Sequence, residues 1–258
     1  MRARFADIHC HALCHLDDGA KDMEMTKAMI DAEYQDGVRY LCFTPHYHPG
    51  YYGPNEERAA QTFAEAEAYA KKYPDLQLAL ANELHYAPEC LSWIKEGLCR
   101  RMGNTRCILV DFRQCEEERT ITEGLTRILN SGYMPILAHA ERYDRLHPAT
   151  VQTLRRDGIM IQVNADSVLA GAVFGNFGGM VGMRARRMLS KEMVDFISTD
   201  AHDLKRRPPN LSGAYACIVK KYGLEYAQYI CCDHAVSLFF GSTAEVQSTS
   251  DISYKHTN

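Results

Sequence analysis

Along the chain, short apolar or β-branched runs alternate with longer stretches whose apolar residues recur at helical spacing. That rhythm predicts β/α units built around a parallel sheet. Seven runs read as strands: Phe5 to Ile8, Tyr40 to Thr44, Gln77 to Ala81, Cys107 to Phe112, Pro135 to Ala138, Ile159 to Val163 and Val194 to Ser198. Between them the pattern predicts helices. One runs from Asp22 to Asp36 and stops at Gly37, a second opens at Asn55 and closes before Pro74, and a third opens on the capping-box spacing of Thr120 and Glu123 and ends at Gly132. Ala214 to Phe240 reads as helices packed on the outside, Gly171 to Gly182 as a Gly- and Phe-rich loop, and the three arginines of Met183 to Arg187 as a solvated helix face. No Pro/Gly/Ser-rich linker and no internal repeat divides the sequence, so one domain over 1–240 is expected, with a loose Ser-, Thr- and Asp-rich tail at 241–258.

At 258 residues, 46% hydrophobic and 24% charged, the chain can bury a core with no disulfide or metal needed merely to fold. The longest apolar stretches fall far short of the ~20 residues that a bilayer demands, so no integral membrane segment is expected. The opening Met1 to Asp7 meets His9 and His11 before any apolar segment develops, unlike a secretory leader, and a cytoplasmic location is the expectation. Ten cysteines without a C-x-x-C pair read as reduced, mostly buried thiols. A net charge of −4 offers no global attraction to a polyanion, which argues against nucleic acid as a partner. Eleven histidines against one tryptophan are unusual, and such enrichment points to metal or proton chemistry.

Placed on the strands, the histidines and acids gather. Strand one ends in Asp7-Ile8-His9-Cys10-His11, whose i, i+2 spacing sends both imidazoles to one side. Strand two ends in Thr44-Pro45-His46, strand three in Asn82-Glu83, and strand four carries Asp111. Strand five ends in Ala138-His139 and strand seven in Ser198-Thr199-Asp200-Ala201-His202. Six of seven strands thus put a nitrogen or oxygen ligand at the C-terminal end, where barrel-type β/α folds build active sites. Buried imidazoles and carboxylates converging without a cation would carry a severe desolvation cost.

The ligand set lacks thiolate and suits Zn, Mn or Fe. His9, His11, Glu83, Asp111, His139, Asp200 and His202, joined by His46 and one of Asp17 and Asp18, are too many for one ion and could hold two or three, with Glu83 bridging. Such centres activate water near neutral pH and clamp phosphoryl oxygens, so metal-dependent phosphoester hydrolysis is the leading chemistry. Arg142, three residues past His139, and Arg207, just before Pro208-Pro209, are candidates to hold a phosphate through paired hydrogen bonds. His147, His234 and His256 read as surface or satisfied core, and His15, His48 and His85 as lying near the motifs but outside the ligand set. Cys107 to Arg113 matches C-x5-R, the spacing of cysteine-dependent phosphatases, but the intervening residues are bulky and strand-forming, so Cys107 reads as buried strand.

These residues resemble a known family. The H-x-H opening, Thr44-Pro45-His46, Asn82-Glu83, Ala138-His139-Ala140-Glu141-Arg142-Tyr143 and Ser198 to His202 look like the PHP (polymerase and histidinol phosphatase) superfamily. Within it, Asp17-Asp18-Gly19-Ala20-Lys21-Asp22, Glu141-Arg142-Tyr143 and Arg207-Pro208-Pro209 look like the bacterial capsule-biosynthesis protein-tyrosine phosphatases of the CpsB type. The resemblance runs from about Asp7 to Pro209. It implies a distorted (β/α)7 TIM-like barrel and three metal ions, manganese first with iron or zinc as alternatives. It also implies hydrolysis of phosphotyrosine on a tyrosine autokinase that controls polysaccharide export. By resemblance His9, His11, Glu83 and Asp200 would hold one ion, Glu83, Asp111 and His139 a second, and Asp18, His46 and His202 the third. Arg142 and Arg207 would bind phosphate, and Asp7 would orient a ligand histidine. Asp111 stands where the family commonly has glutamate, Cys10 where serine is common, Tyr47 where a second histidine is frequent and Asp203 where asparagine is usual. The rival reading is a small-molecule phosphomonoesterase of the same superfamily, of the histidinol-phosphate type.

Overall fold

The computed structural model describes residues 4–52, 55–170 and 179–240. Most of the expected Gly- and Phe-rich loop, the tail at 241–258 and His256 lie outside the described residues. Nine strands appear in order: β1 (Phe5–Cys10), β2 (Val38–Phe43), β3 (His46–Tyr47), β4 (Gln77–Leu80), β5 (Glu83–His85), β6 (Cys107–Asp111), β7 (Met134–Leu137), β8 (Met160–Asn164) and β9 (Phe196–Ser198). All seven expected strands are among them, and two are extended by a short second piece. Pro45 has no N–H to give the ladder, so β2 stops at Phe43 and pairing resumes in β3. The next strand breaks at Asn82, whose N–H goes to the Arg100 carbonyl at 3.3 Å while its side-chain amide donates to the Pro45 carbonyl at 3.0 Å and accepts from the Arg100 N–H at 2.8 Å.

Every strand pair is parallel. The pieces join as β1-β2-β4 and β3-β5-β6-β7-β8-β9. Beyond β9, Ala201 bridges to Cys10 in parallel, and Asp200 N–H donates to the His9 carbonyl at 2.8 Å, so the curled sheet brings its last strand beside its first.

Helices α1 (Met23–Asp36), α2 (Glu56–Ala70), α3 (Cys90–Lys95), α4 (Glu118–Asn130), α5 (Pro148–Arg156), α6 (Ala165–Leu169), α7 (Gly179–Ser190), α8 (Leu211–Tyr222) and α9 (Leu224–Gln228) fill the connections. The Asp22 carboxylate caps the Met25 N–H at the start of α1, and Gly37 ends it at φ 108°, a left-handed conformation that glycine adopts without a Cβ clash. The expected capping box is absent: α4 starts two residues before Thr120, and Glu123 instead pairs with Arg119 one turn earlier, at 2.6 Å. Nor is the arginine run on α7 simply solvated, because Arg184 Nε donates to the Glu141 carbonyl at 2.6 Å.

On one strand face, side chains two residues apart change character toward the C-terminal end. Cys107, Leu109 and Asp111 follow one another on β6, Met160, Gln162 and Asn164 on β8, and Phe196, Ser198 and Asp200 along and beyond β9. The first members join Ile8 and Ile136 in an apolar cluster against which Phe239 and Phe240 pack. The larger cluster lies between the sheet and the helices. No helix among the described residues is long and apolar enough to cross a membrane.

Candidate metal centre

The polar members of that face converge at one end of the sheet. Glu83, the first residue of β5, is buried at the middle of the cluster. Its Oε1 lies 3.3 Å from His9 Nε2 and 2.9 Å from His139 Nε2, while its Oε2 lies 3.3 Å from His11 Nε2 and 2.8 Å from His46 Nδ1. Asp200 Oδ1 stands 3.5 Å from His9 and 3.4 Å from His11. Of the four ligand-type groups among the described residues, three lie here: His9, His11 and Glu83; Glu83, Asp111 and His139; and His11, Asp18, His46 and His202. Asp7, Cys10 and Glu33 form the fourth. Within each, one donor atom per residue falls inside a 4.8 Å span. Every candidate ligand from the sequence is therefore in one place.

The two adjacent acids divide the work. Asp18 Oδ1 faces His46 Nε2 at 3.4 Å and His202 Nε2 at 3.5 Å, whereas Asp17 turns away to accept from His11 Nδ1 at 2.7 Å and from the His46 and Gly19 N–H groups at 2.9 Å. Gly19 holds this loop down. A Cβ there would lie 1.9 Å from the His11 carbonyl oxygen, so only glycine permits the approach.

Sequence reasoning missed the residues that orient the ligands. Strand β8 bears no imidazole or acid, yet Gln162 Oε1 faces His9 Nδ1 at 3.1 Å and accepts the His139 backbone N–H at 2.7 Å. Gln162 Nε2 donates to Asn164 at 2.8 Å, and Asn164 Nδ2 donates to Asp200 Oδ2 at 2.8 Å. An acceptor on Nδ1 fixes the tautomer that leaves His9 Nε2 as a free donor pair. Asp7 does not orient an imidazole as expected. It accepts the backbone N–H groups of His9 and Thr199 at 3.2 and 3.1 Å and bonds the Thr199 hydroxyl, tying β1 to the segment after β9. Beside it the buried Glu33 carboxyl is pushed well up, by burial first and then by Asp7 repulsion.

His85 Nδ1 lies 2.9 Å from Asp111 Oδ1, and His48 stacks on the His85 ring at 4.0 Å, so both flank the ligands. The exposed His15, His147 at the start of α5, and His234, stacked between Phe196 and Tyr229, lie outside the cluster. Cys107 is buried at the opposite end of β6 from Asp111, and burial raises its thiol pKa. Two of the four non-glycine residues with positive φ among the described residues are His139 (33°) and Asp200 (52°). Strained backbone of this kind persists where neighbours fix it, and it concentrates at working sites.

The donor set suits cations. His9 Nε2 and His11 Nε2 face each other at 3.1 Å, and the buried Glu83 Oε2 and His139 Nδ1 have no partner with hydrogen-bond geometry. Nitrogens and oxygens aimed at common points but unable to satisfy one another are what metal coordination relieves. The field agrees. Burial would raise Glu83, yet the surrounding imidazoles hold it well below the usual carboxylate range, and His46, which burial would lower, is pushed up to about 10 chiefly by Glu83. Arg142 Nη1 meets Asp200 Oδ2 at 2.8 Å, and Arg207 bonds the same oxygen. The two arginine side chains are 26% and 32% exposed and that of Asp200 2%, so both arginines reach from the buried centre toward solvent.

A parallel α/β fold with polynuclear-type ligand groups and two arginines at the C-terminal strand ends defines a class of hydrolase-like metal sites. The chain belongs to the CpsB/CapC capsular polysaccharide synthesis family, whose model matches residues 5–239. It is 33% identical over 231 residues to tyrosine-protein phosphatase CpsB of Streptococcus pneumoniae, covering 88% of this chain and 95% of that one. A crystal structure from the pair Bacillus subtilis YwqE and S. pneumoniae CpsB, described as unique metal-dependent tyrosine phosphatases, matches with TM-score 0.76 and 26% identity over 86% of this chain and 89% of that chain. Histidinol phosphate phosphatase from Lactococcus lactis shares the fold, with TM-score 0.52 and 16% identity over 86% and 94% of the two chains.

Proposed function

We propose that this chain is a metal-dependent protein-tyrosine phosphatase of capsular or exopolysaccharide biosynthesis, acting on phosphotyrosine of a tyrosine autokinase. The observation that carries it is the sharing of Glu83 between two ligand groups with Arg142 and Arg207 alongside, in a chain of the CpsB/CapC family. Counting β2 with β3 and β4 with β5 as interrupted single strands, the sheet is read as a distorted (β/α)7 barrel, with residues 1–240 as one catalytic domain. Ten free cysteines favour a reducing, cytoplasmic setting.

Three manganese ions are the proposed complement: one with His9, His11, Glu83 and Asp200, one with Glu83, Asp111 and His139, and one with Asp18, His46 and His202. When bound, the metal supplies Lewis-acid stabilisation of phosphoryl charge and a nucleophile from water near pH 7. The protein's own part is positional. Arg142 and Arg207 exchange their shared Asp200 contact for the phosphate oxygens, through charge-assisted bidentate bonds that lysine reproduces only in part. Gln162, Asn164 and Asp17 hold the imidazoles and Asp200 in orientation, so no reorganisation is needed as charge develops.

Turnover of a phosphotyrosine peptide by Mn²⁺-reconstituted protein, set against histidinol phosphate, tests the reading. The peptide is expected to be the better substrate, and chelation is expected to abolish turnover. Arg142→Ala and Arg207→Ala should each lower kcat/KM about 10- to 100-fold with metal content unchanged. Full activity in metal-free protein, or a preference for histidinol phosphate, overturns it.

A further inference from the structure

A cleft of about 590 Å³ opens directly beside Asp18 and His202. One wall is the loop that follows β1 and carries Gly19 and Lys21, and the other is the loop that follows β9 and carries Asp203 to Arg206. Lys21, Lys205 and Arg206 are exposed on its walls, and none of the three forms an ion pair within 4 Å among the described residues. The acids nearby are already engaged. Asp203 accepts the backbone N–H groups of Lys205 and Arg206 at 2.6 and 2.5 Å, Asp22 caps α1, and Asp18 faces the two imidazoles. Exposed Leu204 and half-buried Met25 add an apolar floor. Along the lining itself three cations, Lys21, Lys205 and Arg206, stand against two carboxylates, Asp18 and Asp203, on a chain whose net charge is −4.

A single phosphotyrosine side chain does not need this cleft, because Arg142 and Arg207, the phosphate-binding candidates, rest on Asp200 and neither lines it. The backbone of a protein substrate must leave the centre somewhere, and the cleft begins at two of the candidate ligands. We infer that the Lys21, Lys205 and Arg206 cleft is a docking groove for residues flanking the phosphotyrosine, and that it selects an acidic flanking segment. This inference rests on the phosphatase reading above and names the substrate class that the same site takes. Exposed pairs of this kind are individually weak, so three acting together set a preference of about tenfold, screened by salt. Charge complementarity of this sort acts on encounter and register more than on chemistry, so the preference belongs in kcat/KM and not in kcat.

The test compares kcat/KM of the Mn²⁺-loaded full chain on matched phosphotyrosine peptides whose flanking residues are Glu, Ala or Lys. The order Glu above Ala above Lys is expected, with about a tenfold span between the first two at low salt, shrinking at about 0.5 M salt. In the Lys21→Ala/Lys205→Ala/Arg206→Ala variant the Glu-to-Ala ratio should fall to near one, and in a Lys21→Glu/Lys205→Glu variant it should invert. Phosphotyrosine turnover that ignores the flanks, or a ratio that survives both variants, overturns the groove while leaving the phosphatase reading intact. Absence of turnover on every phosphotyrosine peptide, with metal bound, overturns the phosphatase reading itself.

Discussion

On β6 the side chains of one face run Cys107, Leu109, Asp111, and on β8 they run Met160, Gln162, Asn164. Two residues along the same strand therefore separate close apolar packing from polar chemistry. At the N-terminal end the contacts are interchangeable in kind, so a trimmed side chain costs the transfer and cavity energy of the missing atoms and little else. At the C-terminal end each polar group is held by another, from Gln162 to His9, from Asn164 to Asp200 and from Asp17 to His11. A change there leaves a partner stranded in the dry interior. One end is predicted to answer to stability and the other to metal and turnover.

The largest effect that separates them is expected at Glu83. Glu83→Ala removes the carboxylate that two ligand groups share, so metal content and phosphotyrosine turnover should each fall by more than about a hundredfold while circular dichroism remains that of a folded α/β protein. Elemental analysis of the purified variant checks this. Parental metal content would place the centre elsewhere. Next comes Gln162→Leu, which keeps the volume but removes the acceptor on His9 Nδ1 and on the His139 N–H. Metal affinity should weaken about 10- to 100-fold, and Gln162→Glu, which retains an acceptor oxygen, should recover part of it. Equal Mn²⁺ titrations for parent and Gln162→Leu would reduce the glutamine to a space-filler.

That second prediction marks where the sequence was readable. Imidazoles and acids at strand ends stand out because they are rare in buried strands, so His9, His11, Glu83, His139, Asp200 and His202 were visible from spacing alone. A glutamine and an asparagine in an apolar run carry no such mark, and what gives Gln162 and Asn164 their role is a contact some 150 residues away along the chain for His9, and 36 for Asp200. The seven strands were legible from period, but β3 and β5 were not, since two or three residues after Pro45 and Asn82 are too few to show one. The choice between Asp17 and Asp18 was open in the residues themselves. In the fold Asp18 faces His46 and His202 while Asp17 bonds His11, on a loop that Gly19 packs against the His11 carbonyl. The capping box at Thr120 failed because Glu118 and Arg119 already support helix, and the Arg119–Glu123 pair competes for the side chain that the box required.

The apolar end supplies the third prediction. Cys107→Ala should lower stability by roughly 1 kcal/mol, by analogy with other small truncations in packed cores, and leave phosphotyrosine turnover within a few fold of the parent. The thiol that burial keeps protonated sits at the far end of β6 from Asp111, so it is no nucleophile. A folded, metal-loaded Cys107→Ala protein without activity would erase the distinction between the two ends.

The smallest effect is expected at His234, where the C-terminal segment covers the apolar end. Its ring is stacked between Phe196 at 4.6 Å and Tyr229 at 4.7 Å, with Nδ1 3.3 Å from the Asp195 carbonyl. Burial, aided by Arg155 and outweighing Asp195, lowers its pKa from the ordinary 6.5. The folded protein therefore binds this proton less readily than the unfolded chain does. Stability from the neutral ring is fully present above about pH 6.5 and is lost as pH falls from there toward the folded pKa, with a slope of at most about 1.4 kcal/mol per pH unit. His234→Phe keeps the stack without the proton, so its denaturant midpoint should fall less between pH 7 and pH 5 than the parent's, measured on metal-free protein so that ligand protonation is common to both. Parallel pH profiles for the two proteins would show that His234 is charged in the fold, and that the apolar end is not as dry as its packing indicates.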